Sequence, residues 1–155
     1  MYAKLTEAAE TPAMNGIRVA FASTDHATVD QHFGSTLAFA IFEVSPEHAQ
    51  LVELIEFIDR AQDGNENKLP EKIATLEGCA AVYCLAVGAS AIKQLLASGV
   101  QPIRVEEGRA ITELIGELQT ELGNGPSGWL AKALRSRQAD HPSRFDVMEA
   151  EGWQE

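Results

Sequence analysis

The sequence predicts an α/β protein: a mixed five-stranded sheet in the order 3-2-1-4-5, with helices on its faces. Three observations carry this expectation. Cys79-Ala80-Ala81-Val82-Tyr83-Cys84-Leu85 is a nearly unbroken apolar run, the pattern of a strand buried on both faces. Strand and helix signals alternate from Leu69 to Leu122, as crossover connections between parallel strands require. Upstream, two β-rich runs are joined only by Ser45-Pro46-Glu47-His48, a turn too short for anything but an antiparallel pair.

Taken in order, Met1–Asn15 has no apolar run and reads as a flexible leader, neither a signal peptide nor an anchor. Ile17–Ala22 is the first strand, and Leu37–Val44, rich in β-formers, is the second. Leu51–Asp59 alternates imperfectly, with Leu51, Ile55 and Phe57 set against Glu53 and Glu56, and forms the third. The loop Gln62–Asn67 follows. A helix then carries Pro70 in its first turn, with Leu69, Ile73 and Leu76 at helical spacing, and Gly78 stops it. The apolar run at 79–85 is the fourth strand. Gly88-Ala89-Ser90 opens a helix that Gly99 closes, and Val100–Val105 is the fifth strand. Arg109–Leu122 is the clearest helix, with Ala110, Ile111, Leu114, Ile115, Leu118 and Leu122 on one stripe.

The core domain is thus expected over residues 16–122. Gly123–Gly128 has linker composition, and residues 123–155 form a tail with a short amphipathic piece at Trp129, Leu130, Ala133 and Leu134. Trp129 and Trp153 either close over the protein's own core or anchor a partner.

Twelve basic residues against 23 acidic ones leave a net charge of −11. Such a charge repels phosphate backbones and anionic lipid, which argues against nucleic-acid and membrane-surface binding. Residues 43–77 alone hold nine acids against three bases, a solvated face or an acidic docking surface. No stretch approaches the roughly 20 apolar residues of a spanning helix. A cytoplasmic protein with reduced thiols is expected. Cys79 and Cys84 stand five positions apart on one predicted strand. They should therefore face opposite sides about 16 Å apart, too far for a disulfide or for shared metal ligation.

In the predicted order the first strand lies beside the fourth, and open α/β sheets bind ligands at the carboxyl ends of such strands. The loop Asp30-Gln31-His32-Phe33-Gly34-Ser35 and the turn Ala86-Val87-Gly88-Ala89-Ser90 should then face one another across a cleft. His32 is the leading metal-ligand candidate, because a loop imidazole fixed by a buried strand is free to bind. His26, earlier on the same loop, is a second contact. Cys84 either reaches the cleft or stays in the core, where Cys79 belongs. Ser23, with Thr24 and Asp25, either donates to a ligand or caps the turn. Phe33 either packs the loop down or touches the ligand, and Gly34 permits a tight bend. His48 lies at the far end of the second strand and His141 in the tail. A nuclease would need clustered carboxylates for divalent metals, yet the first and fourth strands carry no acid. No Gly-x-Ser-x-Gly, phosphate-binding loop or zinc-spaced Cys/His set occurs either, so no enzyme class gains a foothold.

Three segments in order, Asp30–Ser35, Cys84–Ala91 and Arg144-Phe145-Asp146…Gly152-Trp153, resemble the NifX family of the dinitrogenase iron–molybdenum cofactor biosynthesis group. The group-level likeness covers roughly Ile17–Leu122, and the Trp129-Leu130-Ala131-Lys132 and Gly152-Trp153 tail is similar to NifX and its relative NifY. The resemblance implies a ribonuclease-H-like fold and a carrier instead of a catalyst. Its cargo would be an iron–sulfur cofactor precursor, or the iron–molybdenum cofactor, taken from the precursor-synthesising protein and passed to the nitrogenase cofactor scaffold complex. A NifY-like chaperone of apo-dinitrogenase is the alternative, and the short leader favours the carrier. The family's His-Phe-Gly histidine, tied to cluster binding, corresponds here to His32. Loop 23–36 has no cysteine, whereas durable iron–sulfur sites use several thiolates, and a carrier must release what it holds. Gly88 and Ser90, at the start of their helix, offer N–H groups and a positive dipole end to an anionic cluster, with Lys93 and Arg18 as further cations.

Overall fold

The computed structural model describes residues 2–6, 16–57, 69–126 and 128–140. The predicted Gln62–Asn67 loop, His141 and the Arg144–Trp153 tail motif lie outside the described residues. Six strands, β1 (Tyr2–Thr6), β2 (Ile17–Ala22), β3 (Ala38–Val44), β4 (Ala49–Phe57), β5 (Ala81–Cys84) and β6 (Gln101–Arg104), form one mixed sheet. The helices are α1 (Leu69–Ala74), α2 (Ala89–Ala97), α3 (Ile111–Gly123) and α4 (Gly128–Asp140).

The order across the sheet is β1-β4-β3-β2-β5-β6. Without β1 this is the predicted mixed sheet: β2, β3 and β4 pair antiparallel, while β2–β5 and β5–β6 are parallel. The sixth strand comes from the expected leader. Tyr2–Thr6 pairs antiparallel along β4, with Tyr2 opposite Phe57 and Thr6 opposite Glu53.

Period-two alternation divides the core into two layers. From β2, Ile17, Val19 and Phe21 point to one side, and Ala20 and Ala22 to the other. The alanine side packs with Phe39 and Ile41 of β3, Val82 and Cys84 of β5, Ile73 of α1, Leu76 in the turn after it, and Ala91 and Leu95 of α2. The opposite side receives the α3 stripe, from Ile111 to Leu122. Phe21 and Tyr83 stack there at 4.8 Å, and burial raises the Tyr83 phenol above its ordinary range. Gly78 and Gly99 end the turns after α1 and α2 at φ 93° and 83°, values that a side chain would strain.

One detail decides between open alternatives, and a second differs from expectation. Leu130 of α4 is fully buried against the α3 layer, with Trp129, Ala133 and Leu134 packed beside it, so the tail helix closes over the sheet. Cys79 precedes β5 instead of lying on it, and both cysteines end in the α1–α2 layer; the alternation argument for opposite faces held only within the strand. Both are buried free thiols.

Candidate functional site

The β2–β3 loop, residues 23–37, carries two histidines and is braced before it reaches His32. The Asp25 carboxylate accepts from the Ala27 and Thr28 N–H groups at 2.8 Å each, from Thr28 Oγ1 at 2.9 Å and from Ser23 Oγ at 3.1 Å. The Thr28 and then the Ala27 backbone bonds hold this carboxyl well below the usual carboxylate range. Asp30 accepts from the Thr24 N–H at 3.0 Å and from its hydroxyl at 2.7 Å. Ser23 is buried; besides donating to Asp25, it accepts the His26 N–H at 2.9 Å. Of the two roles open to Ser23, Thr24 and Asp25, the described bonds are those of loop braces. His26 stands exposed, at φ 62°.

Backbone bonds then stitch the loop to both neighbouring segments. Toward α3, the Val29 N–H donates to the Arg109 carbonyl at 3.0 Å, and the Ile111 N–H to that of Ala27 at 2.8 Å. Toward β5, the Leu85 N–H donates to the Gln31 carbonyl at 2.9 Å, and the Phe33 N–H to that of Ala86 at 2.8 Å. His32 sits between those last two bonds. Its backbone is therefore held on both sides while its ring remains exposed. Phe33 is fully buried in the α1–α2 layer, its centroid 5.7 Å from that of Phe39. It packs the loop down.

Gly34 lies outside the left-handed region, and a Cβ there would meet nothing within 4 Å, so the fold does not demand a glycine for the bend. Its carbonyl accepts from Lys72 Nζ at 2.7 Å; that ammonium, buried under the loop, lies 5.3 Å from the Phe57 ring centroid. A buried ammonium is tolerated when it is hydrogen-bonded in this way.

The described cleft is bounded differently from the expected one. Leu85 and Ala86 are hydrogen-bonded to the loop, so the α2 turn adjoins it directly instead of facing it across a gap. The open space, about 470 Å³, is lined by His32, Leu85, Arg104, Val105, Glu106 and Glu107, from the loop, the end of β5 and the end of β6. Gly88 and Ser90 stay outside that lining. Gly88 precedes α2 with no side-chain cap bond, and the Ser90 hydroxyl accepts from Gln94 Nε2 at 3.1 Å. Cys84 is also outside it. Its thiol is in the α1–α2 layer, whereas the neighbouring Leu85 packs with the α3 layer. Burial pushes that thiol up to about 11, with the Arg104 guanidinium drawing it partly back, and Cys79 up to about 12. Arg18 pairs with Glu43 at 3.3 Å near the start of β2, remote from the carboxyl ends of the strands.

Sequence reasoning missed Arg104, Glu106 and Glu107. A signal was present: Arg104 ends a parallel strand next to β5, at the sheet edge where α/β ligands bind. Among the described residues no group of three or more His, Cys, Asp or Glu could hold a metal ion. The site therefore offers one imidazole, one guanidinium, two carboxylates and the apolar side chains of Leu85 and Val105. No described helix is long and apolar enough to cross a membrane.

The sheet and its histidine loop fall within a segment that shows the family to which the chain belongs: residues 15–121 match the family described as Dinitrogenase iron-molybdenum cofactor. Within that family, the chain is 58% identical over 139 residues to Protein NifX of Azotobacter vinelandii, covering 90% of this chain and 88% of the relative. Protein NifY of the same organism is 30% identical over 131 residues, covering 84% of this chain and 53% of the relative. Among solved structures, the crystal structure of PH0822 matches with a TM-score of 0.54 at 25% identity, over 67% of this chain and 89% of that one.

Proposed function

We propose that this protein is a non-catalytic carrier in iron–molybdenum cofactor biosynthesis. It binds an iron–sulfur precursor of the cofactor, or the cofactor itself, transiently at the His32 cleft and hands it from the precursor-synthesising protein to the scaffold complex in the cytoplasm. The observation that carries this reading is the His32 backbone, pinned on both sides to β5 and the turn after it while its imidazole faces an open cleft. Imidazole is a competent iron ligand. One such bond, with polar contacts around it, suits a micromolar complex of about −8 kcal/mol, which is loose enough to release. His26 is a candidate second contact on the same loop. The greater identity to NifX than to NifY favours the carrier over a chaperone of apo-dinitrogenase.

The test is anaerobic titration of the wild type and His32→Ala with isolated iron–molybdenum cofactor. Affinity is expected to fall at least about tenfold, the equivalent of 1.4 kcal/mol, with no change in Tm. Full affinity in the variant refutes the site. Recovery of apo-dinitrogenase in pull-downs, in place of the scaffold, would assign the chaperone role instead.

A further inference from the structure

Resting on that reading, we infer that Arg104 supplies the counter-charge of the cargo site: its guanidinium donates to the sulfide edge of an anionic cluster whose iron His32 ligates. A chain of net charge −11 repels an anion unless a cationic group meets the anion directly where it sits. The structure limits which groups can do this. Arg18 is paired with Glu43, and Arg109 donates to Glu113 at 3.2 Å and Glu117 at 2.6 Å, so both are neutralised by carboxylates. Lys72 is buried and bonded to the Gly34 carbonyl. Among the other described cations, Lys93 on α2 and Lys132 and Arg135 on α4 do not line the cleft.

Arg104 does line it, together with His32. Its exposed side chain makes no ion pair and no hydrogen bond with a described residue, even though Glu106 and Glu107 border the same cleft. Its planar fork of N–H donors, weakly hydrated and permanently charged, is suited to bonding several surface atoms of one anion. Glu106 and Glu107 outnumber the one guanidinium in the lining, so attraction depends on direct contact between Arg104 and the anion and not on the net field of the cleft, in keeping with a cargo that must leave.

The test titrates full-length wild type, Arg104→Gln, Arg104→Lys and His32→Ala anaerobically with isolated iron–molybdenum cofactor at low and high salt. Arg104→Gln is expected to weaken binding about tenfold at low salt and to flatten the salt dependence, since exposed charge attraction is screened. Arg104→Lys is expected to recover part of the loss. The spectroscopic signature of imidazole on iron is expected to persist in both Arg104 variants and to vanish in His32→Ala, and Tm should hold in all three. Arg104→Gln binding within twofold of wild type, with the same salt dependence, overturns the role of Arg104; a loss in His32→Ala within the same series would leave the carrier reading standing. A wild type that binds no cofactor overturns both.

Discussion

Phe33 decides whether the His-Phe-Gly segment is a contact surface or an anchored arm, and two substitutions separate those roles. The ring is fully buried, 5.7 Å from Phe39, which itself meets Phe57 edge-on at 5.6 Å. Truncation in Phe33→Ala loses the transfer free energy of the buried ring, roughly 2–3 kcal/mol, and adds a cavity term, for a total of about 3–5 kcal/mol. That loss is a large share of an ordinary stability of about 5–15 kcal/mol, and in a domain of this size it lowers Tm by about 9–30 °C. Phe33→Leu keeps most of the apolar volume and should cost about 1 kcal/mol, or roughly 3–6 °C. Thermal unfolding followed by circular dichroism, paired with cofactor titration well below Tm, reads both quantities. Phe33→Leu is expected to bind within twofold of wild type. Phe33→Ala is expected to lose affinity along with stability, because His32 is no longer held between its two backbone bonds. A leucine variant with an unchanged Tm but lost affinity would show the ring touching cargo, and an alanine variant with an unchanged Tm would show that it anchors nothing.

The loop brace gives a pH signature. The folded-state carboxyl of Asp25 is depressed by the Thr28 and Ala27 N–H groups, so its stabilisation is complete above the ordinary carboxylate pKa of about 4 and is lost as pH falls through the lower folded value. Asp25→Asn should flatten the acid limb of a Tm-against-pH curve below about pH 4, and an unaltered limb would contradict the brace. For the thiols, the high Cys84 value of about 11 and its burial imply no reaction with a disulfide reagent at pH 8 until the protein is denatured. Cys84→Ala should then bind cofactor within twofold of wild type, and a tenfold loss would make Cys84 a ligand after all.

Much of the sheet was legible because its signals are local. The unbroken apolar run around Ala81–Cys84 and the α3 stripe report burial directly, and the Ser45–His48 turn fixes an antiparallel neighbour. Strand β1 escaped because Tyr-Ala-Lys-Leu-Thr is short and its partner β4 lies far along the chain. The sequence leaves both placements of the tail helix open, on the core or on a partner, because only the fold reveals that Leu130 has a place on the α3 layer. At the site, the same contrast holds. The exposed loop position of His32 was readable from its own loop, and so was the choice between anchor and contact posed by Phe33. Which segment forms the opposite wall depended on how the strand ends are staggered, and the structure puts Arg104–Glu107 there instead of the α2 turn. Cys84 faced away for a reason that alternation supplies: Leu85, its neighbour, took the cleft side.

Carriage of the cargo at this cleft depends most on iron meeting the ring of His32. The direct measurement is pulsed electron paramagnetic resonance on cofactor-loaded protein carrying ¹⁵N-histidine, in wild type and His32→Ala. A ¹⁵N hyperfine coupling in the wild type that is absent from the variant is the expected result. A loaded, paramagnetic wild type with no histidine coupling, or a coupling that survives in His32→Ala, would place the cargo somewhere else on the molecule.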